Sequence, residues 1–371
     1  MGVRQRTVES VVMTLFGDAY RGRRILITGH TGFKGSWLAL WLHHLGAAVT
    51  GLSLPAATTP NHWGLLGLGI TEYLHDIRDA EALAARIASS EPEIVFHLAA
   101  QSLVRKSYAD PLGTWSTNVM GTANVLDACR QVRSVRAVVV VTSDKCYENR
   151  EWMWGYRETD RLGGHDAYSA SKAGAELVAA SYRRAFFTDP DSPLVATVRA
   201  GNVIGGGDWA EDRLIPDLAR AAQDGKPLEI RSPAATRPWQ HVLDCLSAYL
   251  VIGNQLLAGR REIADAWNIG PRMEDNWPVS AVLDAMRVHW PDLRWEISRD
   301  VHPSESAMLY LDSSKAGSVL GWHPVWRLDD ALAATASWYR NFIASGTSSS
   351  RAQLATYIEA AANAGAAWTR Q

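Results

Sequence analysis

The feature that most constrains the fold is a glycine-rich turn between a short apolar strand and a helix. Residues Arg24–Thr28 form an apolar, β-branched run, which predicts a buried parallel strand. Residues Ser36–Leu45 carry apolar side chains at helical spacing. Glycines between them would let a dinucleotide pyrophosphate approach backbone N–H groups at the helix N-terminus. The candidate cofactor-binding residues of this turn are Gly29, Thr31, Gly32, Phe33, Lys34 and Gly35.

Strands and helices alternate through the first 200 residues. Five more apolar runs predict strands at 48–52, 72–77, 93–98, 137–142 and 194–199, and helices are predicted at 80–89, 117–130 and 168–187. Such alternation requires right-handed crossovers and builds a parallel sheet covered on both faces. The predicted fold class is therefore α/β, a doubly wound parallel Rossmann-type sheet with a smaller, mixed α/β substrate-binding lobe.

The composition of the chain changes after residue 200, where Gly, Pro, Arg and Trp cluster between shorter helices. We expect residues 20–200, plus about 241–270, to form the dinucleotide-binding domain. The substrate lobe would then comprise residues 201–240 and about 271–345. Residues 1–19 are predicted to be an N-terminal extension, and residues 346–371 a helical C-terminal tail.

Several small or polar residues stand at the predicted carboxyl ends of strands, where open α/β sheets bind their ligands. These further cofactor-binding candidates are Asp76, Ile77, Leu98, Ala99, Ala100, Gln101, Asn118 and Thr142. Asp76 has two equally weighted interpretations, a cofactor contact or a turn cap. An acid that would grip the adenosine ribose is missing from the end of the second strand, where Ser53 stands instead. Lys34 suits NAD or NADP, and NAD is the cofactor we expect.

A second motif places a phenol and an ammonium group on one helical face, because Tyr168 and Lys172 are four residues apart. A nearby cation favours the phenolate, so we expect the tyrosine pKa to be lowered and Tyr168 to serve as a base. Alone, this spacing is more often a solvated helix face. Together with the glycine turn and Ser143 at a strand end, it predicts a hydroxyl-polarising catalytic group.

The third motif adds an acid and an amine directly after Ser143, at Asp144 and Lys145. Dehydrogenation needs only one hydroxyl donor at this position. The acid and the amine are therefore available for further proton transfers. The alternative interpretation is a polar turn that faces solvent. The apolar strand that precedes the pair ends at the cofactor edge, which favours the catalytic interpretation.

At these motifs the sequence resembles the extended short-chain dehydrogenase/reductases, within them the nucleotide-sugar dehydratases that act on CDP-glucose. The resemblance runs from about Gly22 to Leu332. Its more particular stretches are Gly29–Trp37, Ser143–Tyr147, Asn149–Trp152, Arg199–Trp209 and Arg237–His241. Sister dehydratases that act on dTDP-glucose have Glu where this chain has Lys145.

The resemblance implies a three-step dehydration that starts from CDP-glucose. Tyr168, helped by Lys172 and Ser143, would take the C4 hydroxyl proton while hydride passes to NAD. Asp144 would then act as the acid and Lys145 as the base when water leaves across C5–C6, before hydride returns to C6. Family members commonly dimerise through the helices near residues 119–130 and 168–184, so a homodimer or a tetramer is expected.

Substrate contacts are expected mainly in the second half of the chain. By resemblance, Asn202 meets a phosphate or the sugar, although a loop-capping Asn is the plainer interpretation. The arginines are candidates because guanidinium pairs bidentately with phosphate, although any single one is more often a surface charge. The full set is Gln101, Ser143, Asn202, Arg213, Leu214, Arg231, Arg237 and His302.

Composition narrows the remaining classes. A formal net charge of −2 gives no basic field for nucleic acid or anionic lipid, and no apolar run near the start is long enough to span a membrane. Three scattered cysteines predict neither a disulfide framework nor a metal site, and suit the cytoplasm. Two rivals stay open. One is another nucleotide-sugar dehydratase or a 4-epimerase on the same scaffold, and the other is a non-catalytic NAD(P)-sensing regulator.

Overall fold

A computed structural model describes residues 14–298 and 308–370. Its strands are β1 (Arg24–Thr28), β2 (Ala48–Ser53), β3 (Thr71–Leu74), β4 (Ile94–His97), β5 (Ala137–Val141), β6 (Leu194–Ala200), β7 (Asn202–Ile204), β8 (Leu228–Ile230), β9 (Thr236–His241), β10 (Ala266–Ile269), β11 (Asn276–Pro278) and β12 (Trp295–Ile297). Its helices are α1 (Phe33–His44), α2 (His62–Leu66), α3 (Ala80–Ser90), α4 (Val104–Ala109), α5 (Pro111–Trp115), α6 (Gly121–Gln131), α7 (Ala167–Ala185), α8 (Leu214–Gln223), α9 (Val242–Leu257), α10 (Val279–His289), α11 (Leu328–Ser345) and α12 (Ser350–Asn363).

Seven parallel strands form the central sheet, in the order β3-β2-β1-β4-β5-β6-β10. The run Ala137–Val141 is buried along its whole length because helices cover both faces of the sheet. One face packs on α1 and α9, and the other on α3 and α6. The predicted doubly wound architecture is confirmed. The third strand ends earlier than predicted, at Leu74, because Asp76 caps a turn instead of extending the strand.

Two small sheets build the second lobe. Strand β9 pairs in parallel with β7 and antiparallel with β11, and β8 pairs with β12. Helices α8, α10 and α11 accompany them. The lobe is therefore mixed α/β, as predicted. It leaves a cleft against the carboxyl ends of the large sheet.

The chain returns to the large sheet after β9. Helix α9 packs on the side of β5 and β6, and β10 adds the seventh strand beside β6. The two lobes are interleaved in sequence for this reason. We propose on this basis the division into residues 20–200 with 241–270 and residues 201–240 with 271–345.

Both ends of the described chain pack into the large core. Phe16 stacks on Trp368 with ring centroids 4.9 Å apart, and Trp41 meets the same tryptophan edge-on. The imidazole of His62 shares hydrogen bonds with Ser36 at 2.8 Å and with Ser350 at 2.7 Å. The predicted C-terminal tail is indeed helical, but it seals the α1 face of the sheet. The prediction missed this because the contacts join residues about 300 positions apart along the chain.

Asp244 anchors this C-terminal segment from inside α9. Its Oδ1 accepts hydrogen bonds from the Val325 N–H at 2.6 Å and from the Tyr357 hydroxyl at 2.8 Å. Burial raises the pKa of Asp244 from its ordinary value of 3.8 to about 7. Among the described residues, no helix is both long and apolar enough to cross a lipid bilayer.

Replacing Asp244 by Asn should make stability less sensitive to pH. The folded chain holds the Asp244 proton up to about pH 7, whereas the unfolded chain releases it near 3.8. This stabilisation is complete below the unfolded pKa and is lost as pH rises through the folded pKa. Relative to wild type, Asp244→Asn should therefore gain roughly 2–3 kcal/mol between pH 5 and 8. Urea unfolding across that range measures it.

The matched control is Asp191→Asn, which changes an exposed carboxyl. A stability difference between Asp244→Asn and wild type that stays constant with pH would contradict the prediction.

Candidate active site

A cleft of about 680 Å³ lies between the carboxyl ends of the parallel strands and the smaller lobe. The glycine turn follows β1, and Lys34 from the start of α1 lines the cleft. Gly29 has φ +78°, and a Cβ there would lie 2.7 Å from the Ala99 nitrogen. A Cβ at Gly35 would collide with the carbonyl oxygen of Gly29. Only glycine fits at these two positions, so the turn holds β1, the end of β4 and α1 close together.

The N-terminus of α1 is open to a ligand. Gly32 is the N-cap residue and provides no side-chain cap for the first N–H groups of the helix. A Cβ at Gly32 would meet only the Gly29 carbonyl, at 3.4 Å, and Phe33 and Lys34 begin the helix. Exposed N–H groups and a positive helix end suit an anion. The residues present therefore fit the pyrophosphate of a dinucleotide.

Hydroxyl groups occupy the place where an acid was expected. Thr31 and Ser53 share a hydrogen bond of 2.7 Å, and the Thr31 hydroxyl lies 2.9 Å from the carbonyl oxygen of Leu54. The neighbouring strand β3 carries a carboxylate, Glu72, which is hydrogen-bonded to the buried ring of His30 at 3.0 Å. Burial lowers the pKa of His30. The sequence analysis missed this pair because its members are 42 residues apart.

Of the cofactor-binding residues predicted after β3 and β4, some line the cleft and others do not. Leu98 and Ala100 line the cleft, and the Ala99 N–H donates to the Thr28 hydroxyl at 3.2 Å. Asp76 accepts from the Arg78 N–H at 2.9 Å and from its guanidinium, which supports the turn-cap interpretation. The Arg78 hydrogen bond lowers the pKa of Asp76. The Ile77 side chain is buried in the core, against the backbone of Gly121.

Gln101 and Asn118 hold the loop after β4, whose neighbouring residues Ala100 and Ser102 line the cleft. The Gln101 amide donates to the Leu103 carbonyl and the Thr114 hydroxyl, both at 3.0 Å, and its oxygen accepts from the Leu103 N–H at 2.7 Å. Asn118 bonds the Gln101 backbone on both sides and donates to Ser171 at 2.8 Å. These bonds use the polar atoms of both side chains to order the loop after β4. Their direct contact with substrate or cofactor stays a prediction.

The structure brings Ser143, Tyr168 and Lys172 together at the end of β5. Asp166 caps α7 by accepting from the Ser169 N–H at 2.9 Å, which sets Tyr168 in the first turn. Ser143 lies close enough to the Tyr168 hydroxyl to act on its pKa. One turn further, the Lys172 ammonium donates to the Val141 carbonyl at 3.3 Å. The predicted constellation therefore faces the cleft.

The electrostatics of this group differ from the expectation. Burial raises the pKa of Tyr168 to about 12, although Ser143 and the Arg213 charge act to lower it. The direction is opposite to the predicted one, because desolvation outweighs the nearby cations. Burial also lowers the pKa of Lys172 to about 8, and the charge of Lys34 acts in the same direction.

Thr142 lines the cleft, and its contact with the cofactor stays a prediction. Its hydroxyl donates to Glu176, which lies one turn beyond Lys172 on α7. Glu176 also pairs with Arg199 at 2.8 Å, and Arg199 donates to the Tyr147 hydroxyl at 2.7 Å. This buried network was missed. The i, i+4 spacing from Lys172 to Glu176 is the signal that could have found it.

Asp144 is buried at the cleft, directly after Ser143. Its Oδ1 accepts from the Ser143 hydroxyl at 2.9 Å, whereas Oδ2 has no hydrogen-bond partner among the described residues. Gly201 makes room for this oxygen, since a Cβ there would lie 3.0 Å from it. Burial raises the pKa of Asp144, against the lowering effect of Lys145, Ser143 and Arg237. A carboxyl group with a raised pKa and a free oxygen is suited to donate a proton.

The predicted substrate residues largely line the same cleft. Arg213 pairs with Asp208 at 2.9 Å and donates to Ser102 at 3.1 Å, and Arg231 pairs with Asp212 at 3.1 Å. Arg237 is buried on β9. Asn202, Lys145 and Leu214 also line the cleft. His302 lies outside the described residues. Among the residues described, no group of three or more His, Cys, Asp or Glu side chains is placed to hold a metal ion.

The parallel sheet, the glycine turn and the Ser143–Tyr168–Lys172 group define the class, an extended short-chain dehydrogenase/reductase. Residues 26–335 match the protein family described as GDP-mannose 4,6 dehydratase, and the chain belongs to this family. It is 48% identical over 331 residues to the CDP-glucose 4,6-dehydratase of Salmonella typhimurium, covering 87% of this chain and 92% of that protein.

More distant relatives agree with this placement. The dTDP-glucose 4,6-dehydratase of Streptomyces antibioticus is 30% identical, with 85% of this chain and 92% of that protein covered. The solved structure of a double mutant of the dTDP-glucose 4,6-dehydratase from Streptomyces venezuelae, with NAD bound, superposes with a TM-score of 0.72. It is 27% identical and covers 85% of this chain and 97% of that chain.

Proposed function

We propose that this protein converts CDP-glucose to CDP-4-dehydro-6-deoxyglucose and water, with NAD as its resident cofactor. The observation that carries the proposal is the turn at the end of β5, where a buried Asp144 with one unpaired oxygen stands beside Ser143 and Tyr168. The substrate assignment is supported by the 48% identity to a CDP-glucose 4,6-dehydratase. Gly29, Gly32, Gly35 and the α1 N-terminus would hold the dinucleotide, which supplies a reversible hydride acceptor.

Tyr168 would take the proton of the C4 hydroxyl. Ser143 acts to lower the pKa of the phenol, and Lys172 lies one turn further along the helix face. Burial disfavours the phenolate, so the proton transfer depends on the surrounding positive charge. Arg213 supplies part of that charge. Together with the hydride acceptor that the dinucleotide would supply, these residues would convert the C4 alcohol to a ketone, which acidifies the neighbouring C5–H bond.

Asp144 and Lys145 would then carry out the elimination. The Lys145 amine accepts the C5 proton, the C5–C6 double bond forms, and the C6 oxygen leaves as water with the Asp144 proton. Reduction at C6 balances the earlier oxidation at C4, so the net change is the loss of one water. A plain 4-epimerase needs no acid at this position, and the buried Asp144 therefore favours the dehydratase.

Activity assays with four nucleotide sugars test the proposed function. Purified protein is incubated separately with CDP-glucose, dTDP-glucose, UDP-glucose and GDP-mannose, with and without added NAD. We expect loss of one water from CDP-glucose in preference to the others, measured by mass spectrometry and by the alkaline absorbance of the keto sugar. Dehydration of a different nucleotide sugar would overturn the CDP assignment. Epimerised sugar without water loss would overturn the dehydratase.

The role of Asp144 as the general acid is tested with a substrate analogue whose leaving group needs no proton. Asp144→Asn should slow water loss from CDP-glucose about 10²-fold or more, because a general acid contributes on that order. Release of fluoride from the 6-deoxy-6-fluoro analogue should be slowed far less, since fluoride leaves without protonation. Fluoride and product formation are measured separately.

The control for this comparison is Glu229→Gln, which changes an exposed carboxylate at the rim of the same cleft. Equal slowing of both substrates by Asp144→Asn would show that Asp144 does not act as the acid.

We also propose that the protein is a homodimer and is cytoplasmic. An apolar surface on α5, α7 and the segment between α5 and α6 exposes Leu112, Trp115, Met120 and Leu177, with Leu112 81% and Leu177 61% accessible. A twofold axis would bury this face against its copy. The cytoplasm suits the three cysteines, which are buried and unpaired.

Leu177→Glu should dissociate the dimer, because it would bury an unpaired charge in the interface. Light scattering should fall from twice the 40.7 kDa chain mass to that mass. The matched control is Val288→Glu on α10, which is also exposed and lies outside this surface. An unchanged mass for Leu177→Glu would rule out this surface as the interface.

A further inference from the structure

One carboxylate oxygen at the mouth of the cleft binds two arginines from opposite walls. Oδ1 of Asp212 lies 3.0 Å from Nη1 of Arg105 and 3.1 Å from Nη2 of Arg231. Arg105 belongs to α4 in the large domain, whereas Arg231 follows β8 and Asp212 precedes α8 in the smaller lobe. All three residues line the cleft. The carboxylate therefore bridges the two walls at the entrance.

The charges that line the cleft are balanced before any ligand is considered. Its described lining contains seven Lys or Arg side chains and seven Asp or Glu side chains. Arg213 repeats the pattern of the entrance, since it is held by Asp208 at 2.9 Å. A nucleotide diphosphate adds further negative charge to this cleft. Where a guanidinium is already paired with a carboxylate, the phosphate oxygens compete with that carboxylate for its N–H donors.

Asp212 is the carboxylate best placed to give way. Arg105, Asp212 and Arg231 are 47%, 35% and 29% exposed, and ion pairs in contact with water are weak. Each guanidinium has five N–H donors, of which a shared carboxylate oxygen uses few. A diphosphate offers several oxygens to both forks at once. The two arginines therefore lose little and gain more when the acceptor is exchanged.

We propose that Arg105 is a substrate-binding residue and that Asp212 holds Arg105 and Arg231 in place until the diphosphate of the substrate displaces it. This inference rests on the proposed function, in which the substrate is a nucleotide-linked sugar. It adds a residue from the large domain to the diphosphate site. In this proposal Asp212 orients the two arginines before the substrate binds, and it weakens substrate binding because it competes with the diphosphate.

The two side chains are expected to affect binding in opposite directions. Asp212→Asn removes the competing charge and should lower the Kd for CDP about two- to five-fold, on the scale of one exposed ion pair. Asn also tolerates the backbone of Asp212, whose φ is +59°. Arg105→Gln should raise the Kd about five- to ten-fold. Neither change should affect binding of cytidine, which has no phosphate. Calorimetry measures all of these constants.

The control is Lys106→Gln, which removes an exposed charge from the same helix outside the cleft lining. It should leave the Kd for CDP unchanged. Arg105→Lys serves as a second variant, because it keeps the charge and loses the fork, and its Kd should lie between those of wild type and Arg105→Gln. Thermal unfolding confirms that each variant is folded.

Weaker CDP binding by Asp212→Asn would show that the Asp212 carboxylate favours CDP binding. It would overturn the proposal that the diphosphate displaces Asp212. An unchanged Kd in Arg105→Gln would overturn the assignment of Arg105. If wild type prefers another nucleoside diphosphate, the CDP part of the proposed function fails. The same variants are then titrated with that diphosphate, and the opposite effects are still expected. Binding of no diphosphate by wild type would overturn both.

Discussion

The catalytic cleft depends on a buried ion pair that lies beneath it. Glu176 accepts from Arg199 at 2.8 Å and also from the hydroxyls of Thr142 and Thr197, so one carboxylate joins α7, β5 and β6. Burial opposes its ionisation, but Arg199 and the hydroxyls hold the pKa of Glu176 below its ordinary value. Removing one partner of such a pair costs about 3–5 kcal/mol. The carboxylate therefore fixes α7, with Tyr168 and Lys172, against the turn that carries Ser143.

Arginine–carboxylate pairs also occur at the entrance of the cleft, where they are more exposed to water than the pair of Glu176 and Arg199. Arg199 is buried with its partner, so that pair is permanent and structural. Arg231 and Asp212 are both partly exposed, so that pair is exchangeable, whereas Arg213 pairs with the buried Asp208. Asp144 lies between these extremes, since one of its oxygens is buried and unpaired. Charge in this protein is thus fixed in the interior, reactive at the turn and replaceable at the mouth.

Local patterns were enough to predict the doubly wound sheet and the catalytic group. Strand and helix periodicities, the three glycines and the four-residue spacing from Tyr168 to Lys172 are all short-range signals. The pKa direction of Tyr168 was predicted wrongly, because burial depends on the whole fold. The bond from Thr142 to Glu176 and the pairing of Arg105 with Asp212 were not foreseen. Each joins segments that meet only after the chain has folded.

The scaffold and the chemistry are separable in this protein. The sheet and the glycine turn belong to a fold that a solved epimerase structure shares. Dehydration also needs a proton donor for the departing oxygen. Burial provides it at Asp144 by raising the carboxyl pKa, and Gly201 provides the room for its unpaired oxygen. The buried carboxyl in the turn after β5 is therefore what the proposed dehydration adds to the shared fold.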